Sequence, residues 1–291
     1  MISRPSHLHH RDTAVAPLPS WESVEIVRQM KLHRMLTHVL GGPLPGSIDL
    51  SKVRRVLDLG CGAGDWVLEM AYHHPDLHVI GIDHSRAVVE YARVRAESQG
   101  VENASFASSD FFHLSETSFP LESFDLLHLS FLTGSMAVAA FPGLLRDLQR
   151  LCRGGGGVFW CELDVPHTKS RACLRLTRMM VRALRKAGLA FCPNPLTLGM
   201  TTKMVGWLEE AGYGHIRPCS PVVDVSAGTV AHFAFVEQVE VIAYIIEPFL
   251  LLMEVTTGEE LEALRNQAGA EMRLDSFCGK VFLKSVWAER G

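Results

Sequence analysis

The chain has 291 residues, of which 47% are apolar and 21% are charged, the composition of a globular protein that buries a core. Its formal net charge of −4 gives no general attraction to nucleic acid or to an anionic membrane. No apolar run approaches the ~18 residues of a membrane span, and the first residues contain no apolar core of a signal sequence. We therefore expect a cytoplasmic protein that has neither a membrane nor a nucleic-acid partner.

The cysteine and histidine content predicts no metal site. The seven cysteines are an odd number without C-x-x-C spacing, which is typical of reduced thiols and not of a disulfide framework. His7, His9 and His10 lie in a Pro-, His- and Ser-rich N-terminal tail, where we expect solvated side chains.

Strands and helices alternate through the first half of the chain. Helical spacing predicts a helix over residues 20–40, which Gly41, Gly42 and Pro43 end. Strands are then predicted over residues 55–59, 77–83, 105–110, 124–129 and 158–163, with a helix after each of the first four strands except the third. This alternation predicts right-handed crossovers and a parallel sheet that is covered on both faces.

The second half of the chain has a different pattern. It predicts helices over residues 168–187 and 202–211, a strand over 215–225, an apolar helical stretch over 230–253 and a last strand over 279–288. Thr257 and Glu260 have the spacing of a capping box, which predicts the start of one more helix.

A glycine-rich turn, Gly60-Cys-Gly-Ala-Gly64, joins the first strand to its helix. Glycines let a ligand touch the backbone, and the free N–H groups of the helix start suit an anionic group. Asp83 ends the second strand, where a carboxylate can accept hydrogen bonds from two ribose hydroxyls. Asp110 and the aromatic Phe111 end the third strand and suit an adenine ring. These positions predict a nucleoside crevice along the carboxyl ends of the strands.

The spacing of the glycines argues against a dinucleotide. The turn is G-x-G-x-G, whereas the dinucleotide motif is G-x-G-x-x-G. Asp58 precedes the turn directly, which suits a ligand that lacks a pyrophosphate and carries a cationic amino-acid end. A nicotinamide enzyme stays an outside alternative.

Four segments resemble consecutive motifs of class I methyltransferases that depend on S-adenosylmethionine (SAM), nearest to the small-molecule group that includes quinone-biosynthesis enzymes. They are residues 56–64 (VLDLGCGAG), 79–83 (VIGID), 109–111 (SDF) and 123–129 (SFDLLHL). The resemblance implies SAM as the cofactor. It implies Gly60 and Gly62 beside the methionine portion, Asp83 at the ribose, Asp110 with Phe111 at the adenine, and Ser130 near the sulfonium. The cofactor site that we predict also includes Asp58, Cys61 and His84.

The same resemblance implies the fold. It is an α/β fold with a doubly wound, mostly parallel, Rossmann-like sheet of seven strands, one of which is antiparallel, and with helical lid insertions. We expect a disordered tail over residues 1–19, a lid helix over 20–45, a SAM-binding domain over 46–227 and 277–291, and a helical lid insertion over 228–276.

Two residues are candidate catalytic groups. Methyl transfer mainly requires that nucleophile and methyl group be aligned in a dry site, and the need for a base depends on the acidity of the acceptor. His128, near the end of the fourth strand, suits proton removal from a phenol or an acidic carbon, because imidazole titrates near neutral pH. Glu162, from the fifth strand, could also reach the substrate. The alternative roles are a hydrogen bond to the sheet rim for His128 and loop or cap contacts for Glu162.

The predicted acceptor is a hydrophobic, secondary-metabolite-like small molecule that is methylated at oxygen or carbon by in-line displacement. Amino methyltransferases that act on adenine, cytosine or glutamine resemble one another in an Asn/Asp-Pro-Pro-aromatic motif after the fourth strand. The segment Asp125-Leu-Leu-His-Leu-Ser130 has no proline at that place, which disfavours those substrates. The apolar stretch over residues 233–253 suits a lid over a hydrophobic acceptor, a homodimer face or core packing. Two alternatives stay open: a SAM-binding enzyme that catalyses a cyclisation or rearrangement without methylation, and a SAM-binding regulatory protein.

Charge is segregated along the second half of the chain. No Asp or Glu occurs between Val165 and Leu208, and arginines recur at helical spacing from Arg171 to Arg185. Aromatic residues that could stack on single-stranded nucleic acid are not interleaved with them. We expect a solvated face, or a face that pairs with the acidic insertion.

Overall fold

The computed structural model describes residues 22–110, 114, 119–194 and 196–291. The predictions for the tail over residues 1–19, for its histidines and for Phe111 lie outside the described residues.

Most of the predicted helices and strands form, with shifts of a few residues in their ends. The strands are β1 (Arg55–Leu59), β2 (His78–Asp83), β3 (Ala104–Ser108), β4 (Phe124–Ser130), β5 (Cys152–Leu163), β6 (His167–Thr168), β7 (Tyr213–Cys219), β8 (Val222–Asp224) and β9 (Gly279–Arg290). The helices are α1 (Glu22–Leu40), α2 (Asp65–His73), α3 (Arg86–Gln99), α4 (Phe141–Leu151), α5 (Arg171–Lys186), α6 (Met200–Glu210), α7 (His232–Ile245), α8 (Glu247–Leu252) and α9 (Gly258–Met272).

The sheet has the doubly wound order that was predicted. Its main strands follow the order β3-β2-β1-β4-β5-β9, and β7 pairs with the far side of β9. Strands β1 to β5 are parallel to one another, and β9 is antiparallel to both β5 and β7. The Rossmann-like fold class is confirmed, and the short strands β6 and β8, which also pair with β9, add to the seven strands expected.

Two local expectations are wrong. The strand predicted over residues 215–225 is divided into β7 and β8, and the break falls at Ser220 and Pro221, where proline has no N–H for the ladder. The strand predicted over residues 158–163 begins earlier, because residues 152–157 also belong to β5, which pairs with β4 through a register shift.

Side-chain alternation divides the core between the two faces of the sheet. Val56 of β1 packs in one apolar cluster with residues of α2 and α3, whereas Leu57 and Leu59 pack in the other with residues of α4 and α6. Because side chains alternate along a strand, Asp58 lies on the same face as Val56. The functional side chain of β1 therefore points toward α2.

Helices α7, α8 and α9 are inserted between β8 and β9. The apolar stretch is divided at Ile246, and Pro248 lies in the first turn of α8, where its missing N–H costs nothing. Thr257 caps α9 by accepting from the amide of Glu260. The carboxylate of Glu260 bonds Thr256 and Arg175 instead of completing the capping box. None of the described helices is long and apolar enough to cross a bilayer.

Candidate active site

The carboxyl ends of β1, β2 and β4 border a cavity of about 370 Å³. Among the predicted cofactor residues, those that line it are Asp58, Gly60, Cys61, Gly62, Asp83, His84 and Ser130. Asp110 is exposed and does not line the cavity. The crevice expected at the strand ends is therefore present, and strands that are distant in sequence bring these residues to it.

Glycine is required in the turn after β1 because of its backbone conformation. Gly60, Gly62 and Gly64 have φ angles of 68°, 52° and 81°, a region that strains residues with a side chain. The amide groups of Gly60 and Cys61 both donate to the carbonyl of Ile82, at 2.8 and 3.0 Å. These bonds fasten the turn to the end of β2.

Asp83 joins the end of β2 to the same turn. Its carboxylate accepts from the amides of Gly62 at 3.1 Å and Ser85 at 2.9 Å, and Nδ1 of His84 lies 3.2 Å from it. Burial acts to raise the pKa of the Asp83 carboxyl, but the hydrogen bonds from His84, Ser85 and Gly62 outweigh it and leave the pKa below its usual range. Asp83 is therefore held as an anion at the cavity.

His84 carries positive charge more readily than an ordinary histidine. Its hydrogen bond to Asp83 raises the pKa of the imidazole, burial opposes this, and the charges of Asp83 and Asp110 add to the rise. The carboxylate of Asp110, just after β3, therefore interacts electrostatically with the imidazole of His84, just after β2.

Asp58 is paired with His128. Nδ1 of His128 lies 2.6 Å from Oδ1 of Asp58, and the imidazole stacks on the indole of Trp66 with ring centroids 3.8 Å apart. Asp58 and Trp66 line the cavity, whereas His128 does not. The residue predicted as a proton acceptor therefore lies behind a predicted cofactor residue, and the base role of His128 stays a prediction.

Glu162 is fully buried and also does not line the cavity. Its two oxygens accept four hydrogen bonds, from the amides of Leu132 and Thr133, the hydroxyl of Thr133 and the indole of Trp160, at 2.9 to 3.3 Å. Burial raises the pKa of the Glu162 carboxyl, and these hydrogen bonds act in the opposite direction. Phe131 lies between the end of β4 and Leu132 and has a left-handed φ of 55°. Because Leu132 and Thr133 both donate to Glu162, this carboxylate stabilises a strained turn. That turn, residues 131–135, lines the cavity.

Three helices complete the cavity with residues that were not predicted individually. They are Glu25, Arg28, Gln29, Leu32 and His33 of α1, Met180 of α5, and Ile242 and Ile245 of α7. The two segments that were expected to cover the crevice both reach it. Helix α1 is fastened to α7, since Gln238 accepts from the guanidinium of Arg28 and donates to its carbonyl, both at 2.9 Å.

Residues 50–212 match a family model that is described as a methyltransferase domain. The chain belongs to this methyltransferase family. Demethylmenaquinone methyltransferase of Listeria welshimeri is 28% identical over 153 residues, which are 51% of this chain and 60% of that protein. The secondary metabolism regulator laeA of Aspergillus fumigatus is 31% identical over 163 residues, which are 56% of this chain and 40% of that protein. The chain thus spans less than two thirds of the length of these relatives.

Among solved structures, the YcgJ protein from Bacillus subtilis is similar to this methyltransferase-family chain in fold. Its TM-score is 0.51 at 15% identity, and the match covers 89% of this chain and 99% of that chain. At this identity the likeness shows the fold alone.

S-adenosylmethionine is the cofactor that family membership assigns to the chain. Two features of the cavity fit it. Asp58 and Asp83 supply carboxylates to a ligand that carries two positive charges and a ribose. The turn that lines the cavity also contains Gly60 and Gly62, which place no side chain between the backbone and a ligand. The side-chain oxygen of Gln29 lies beside Gly62, 2.5 Å from the position that a Cβ would take.

Proposed function

We propose that the chain is an enzyme that transfers the methyl group of SAM to an oxygen or carbon of a hydrophobic small molecule. The observation that carries the proposal is that one cavity has two unlike walls. Asp58, Asp83 and the glycine turn form the polar wall, whereas the side chains of Met180, Ile242 and Ile245 form the apolar wall. Helix α1 adds Leu32 together with polar side chains such as Arg28 and Gln29. A cationic cofactor and an apolar acceptor suit these two walls.

The proposed roles at the polar wall follow from charge and conformation. The bound cofactor supplies a methyl group on a positively charged sulfur. Asp58 receives the cationic methionine end and Asp83 accepts from the ribose hydroxyls. Gly60 and Gly62 let the ligand approach the backbone. Cys61, His84 and Ser130 line the same wall, and Asp110 with Phe111 stays our prediction for the adenine.

The proposed role of the helices is to exclude water and hold the acceptor. Alignment of acceptor and methyl group in a dry site is the main requirement of the reaction. Ile245 and Ile246 are buried and line the cavity beside Met180. We propose that residues 20–45 and 228–276 act as the lid, and that residues 46–227 and 277–291 act as the SAM-binding domain.

Mass spectrometry of the products tests the function. The chain is incubated with SAM and a panel that contains a phenol, a hydroquinone, a β-dicarbonyl compound and a polar amine. S-adenosylhomocysteine and an acceptor heavier by one methylene unit are expected with an apolar phenol, hydroquinone or dicarbonyl. Ile242→Asp places a charge in the apolar wall and should lower the rate about tenfold or more. Val94→Asp, on the exposed surface of α3, should leave it unchanged.

A regulatory role is the second candidate, favoured by the likeness to a protein named as a secondary metabolism regulator. It predicts that SAM binds while no S-adenosylhomocysteine forms with any acceptor of the panel. A product of unchanged mass would indicate the third possibility, a cyclisation or rearrangement that uses SAM without consuming it.

The homodimer and the cytoplasmic location stay predictions. Phe233 and Tyr244 on α7 are 71% and 54% exposed, and they are the side chains that a dimer face on this helix would bury. Analytical ultracentrifugation of the chain and of Phe233→Asp tests this: a dimer that dissociates in the variant supports the face, and a monomer in both contradicts it.

A further inference from the structure

Asp58 and His128 form a buried pair on neighbouring parallel strands. They are register partners of β1 and β4, Nδ1 of His128 lies 2.6 Å from Oδ1 of Asp58, and each residue is 2% exposed. A buried carboxylate is unfavourable unless a donor or an opposite charge faces it. Because an ionised carboxylate can only accept, we assign a proton to Nδ1 of His128.

The plane of the His128 imidazole is held by two aromatic rings. The indole of Trp66 stacks on it at 3.8 Å between centroids with an interplanar angle of 11°, and the ring of Phe159 lies at 5.8 Å and 16°. Tilting of the imidazole out of this plane would break both stacking contacts. A half-turn within the plane would keep them but would lose the hydrogen bond from Nδ1 to Asp58. Stacking and this hydrogen bond together therefore fix the direction of the Nδ1–H bond.

The two members of the pair differ in their access to the cavity. Asp58 lines the cavity and His128 does not. Among the described residues, no group donates a hydrogen bond to Oδ2 of Asp58, so one carboxylate oxygen is bound from behind and the other is left for a ligand. This arrangement differs from that of a base, which must itself reach the proton that it removes.

We propose that His128 is a positioning residue for the cofactor. By donating from Nδ1 to Oδ1 of Asp58, it orients the carboxylate so that Oδ2 accepts from the α-ammonium group of the cofactor. The inference rests on the proposed function, in which Asp58 receives the methionine end. It assigns His128 to cofactor affinity and not to removal of a proton from the acceptor.

Calorimetry with two nucleosides tests the inference on the full chain. S-adenosylhomocysteine carries the ammonium group, and 5′-methylthioadenosine lacks the whole amino-acid end. His128→Phe keeps a ring for stacking but removes the donor, whereas His128→Asn keeps a donor near the position of Nδ1 and removes the ring. If His128→Phe does not fold, as judged by circular dichroism, His128→Leu takes its place.

We expect His128→Phe to weaken S-adenosylhomocysteine binding by about 10- to 100-fold, the range of a hydrogen bond to a charged group. It should change methylthioadenosine binding by less than about twofold, and His128→Asn should retain most of the affinity for both ligands. In an Asp58→Asn background, His128→Phe should cause no additional loss.

Equal losses for the two nucleosides would show a general structural role and overturn the inference. So would a His128→Phe protein that binds S-adenosylhomocysteine as tightly as the unmodified chain, or a further loss in the Asp58→Asn background. If the unmodified chain bound neither nucleoside, the proposed function itself would fail, and that result differs from failure of the inference alone.

Discussion

The side-chain oxygen of Gln29 lies over Gly62, so close that a Cβ at position 62 would lie 2.5 Å from it. Helix α1 therefore reaches the glycine turn of β1, although the two are 33 residues apart in the chain. The contact makes the turn and the first helix one side of the same cavity. It also means that residue 62 is restricted both by its φ of 52° and by a neighbouring helix.

Gly62→Ala should abolish most cofactor binding with only a moderate loss of stability. The left-handed backbone costs about 1–2 kcal/mol for alanine, and the added methyl group crowds Gln29 and the backbone that the ligand approaches. We expect SAM affinity, measured by calorimetry, to fall about tenfold or more. Gly100→Ala is the matched control, because Gly100 has a φ of 65° and open space at its Cβ position. It should lose similar stability and keep its SAM affinity; equal SAM affinity in both variants would contradict the prediction.

Gln238→Leu should loosen the contact between α1 and α7. Gln238 is 6% exposed, and its replacement removes the partner of the Arg28 carbonyl and of Nη1 of Arg28. The Nε and Nη2 atoms of Arg28 keep their hydrogen bonds to Glu25. We expect a loss of about 1–3 kcal/mol in the free energy of unfolding in urea. Dissociation of SAM, followed by stopped-flow fluorescence of Trp66 in the cavity wall, should become faster.

Glu237→Ala is the control for this change on the same helix. Glu237 pairs with Lys31 of α1 at 3.0 Å, but the Lys31 side chain is 47% exposed, and such surface pairs contribute about 0–1 kcal/mol. The control should therefore have nearly unchanged stability and SAM dissociation. A larger effect from Glu237→Ala than from Gln238→Leu would place the attachment of α1 at the surface instead.

Glu162→Gln should be destabilised most at low pH. The amide cannot accept all four hydrogen bonds that reach Glu162, so we expect a loss of about 1–3 kcal/mol. The pKa of Glu162 is raised in the folded chain, so between the unfolded pKa of about 4.3 and the raised folded pKa the folded state holds more protons. The carboxyl therefore contributes stability that is fully present below about pH 4.3 and is lost as pH rises through the folded pKa.

The measurement is the difference in free energy of unfolding between the unmodified chain and Glu162→Gln across pH. This difference should shrink as pH rises above about 4.3. Because other carboxyl groups titrate alike in both proteins, they cancel in the difference. If this difference in free energy of unfolding instead increased with pH, the four hydrogen bonds to Glu162 would outweigh the effect of burial, and the pKa of Glu162 would be lowered.

Elements with their own periodicity and end signals were predictable from the sequence. Strand β1 has the predicted ends, and α3 begins after its cap at Ser85 and ends at Gly100 in the left-handed conformation. Each of these signals is local, because a buried apolar run or a capping side chain acts within a few residues. Strands β6 and β8 are too short to have a period, and their pairing depends on β9, which is far away in sequence.

The polar wall of the cavity was also predictable from the sequence, whereas the rest of the site was not. Asp58, Gly62 and Asp83 lie at strand ends that a parallel sheet must bring together. The pairing of Asp58 with His128 depends on the register between β1 and β4, which no local pattern specifies. The approach of Gln29 to the turn depends on how α1 packs, and a helix has no sequence signal for the residue that touches a distant loop.

The most direct measurement is calorimetric binding of SAM to the unmodified chain and to Asp83→Ala, with Asp83→Asn as a second variant and circular dichroism to check folding. We predict measurable binding to the unmodified chain and an affinity at least about tenfold lower in both variants. Absence of SAM binding in the unmodified chain, or equal affinity in a folded Asp83 variant, would contradict the account.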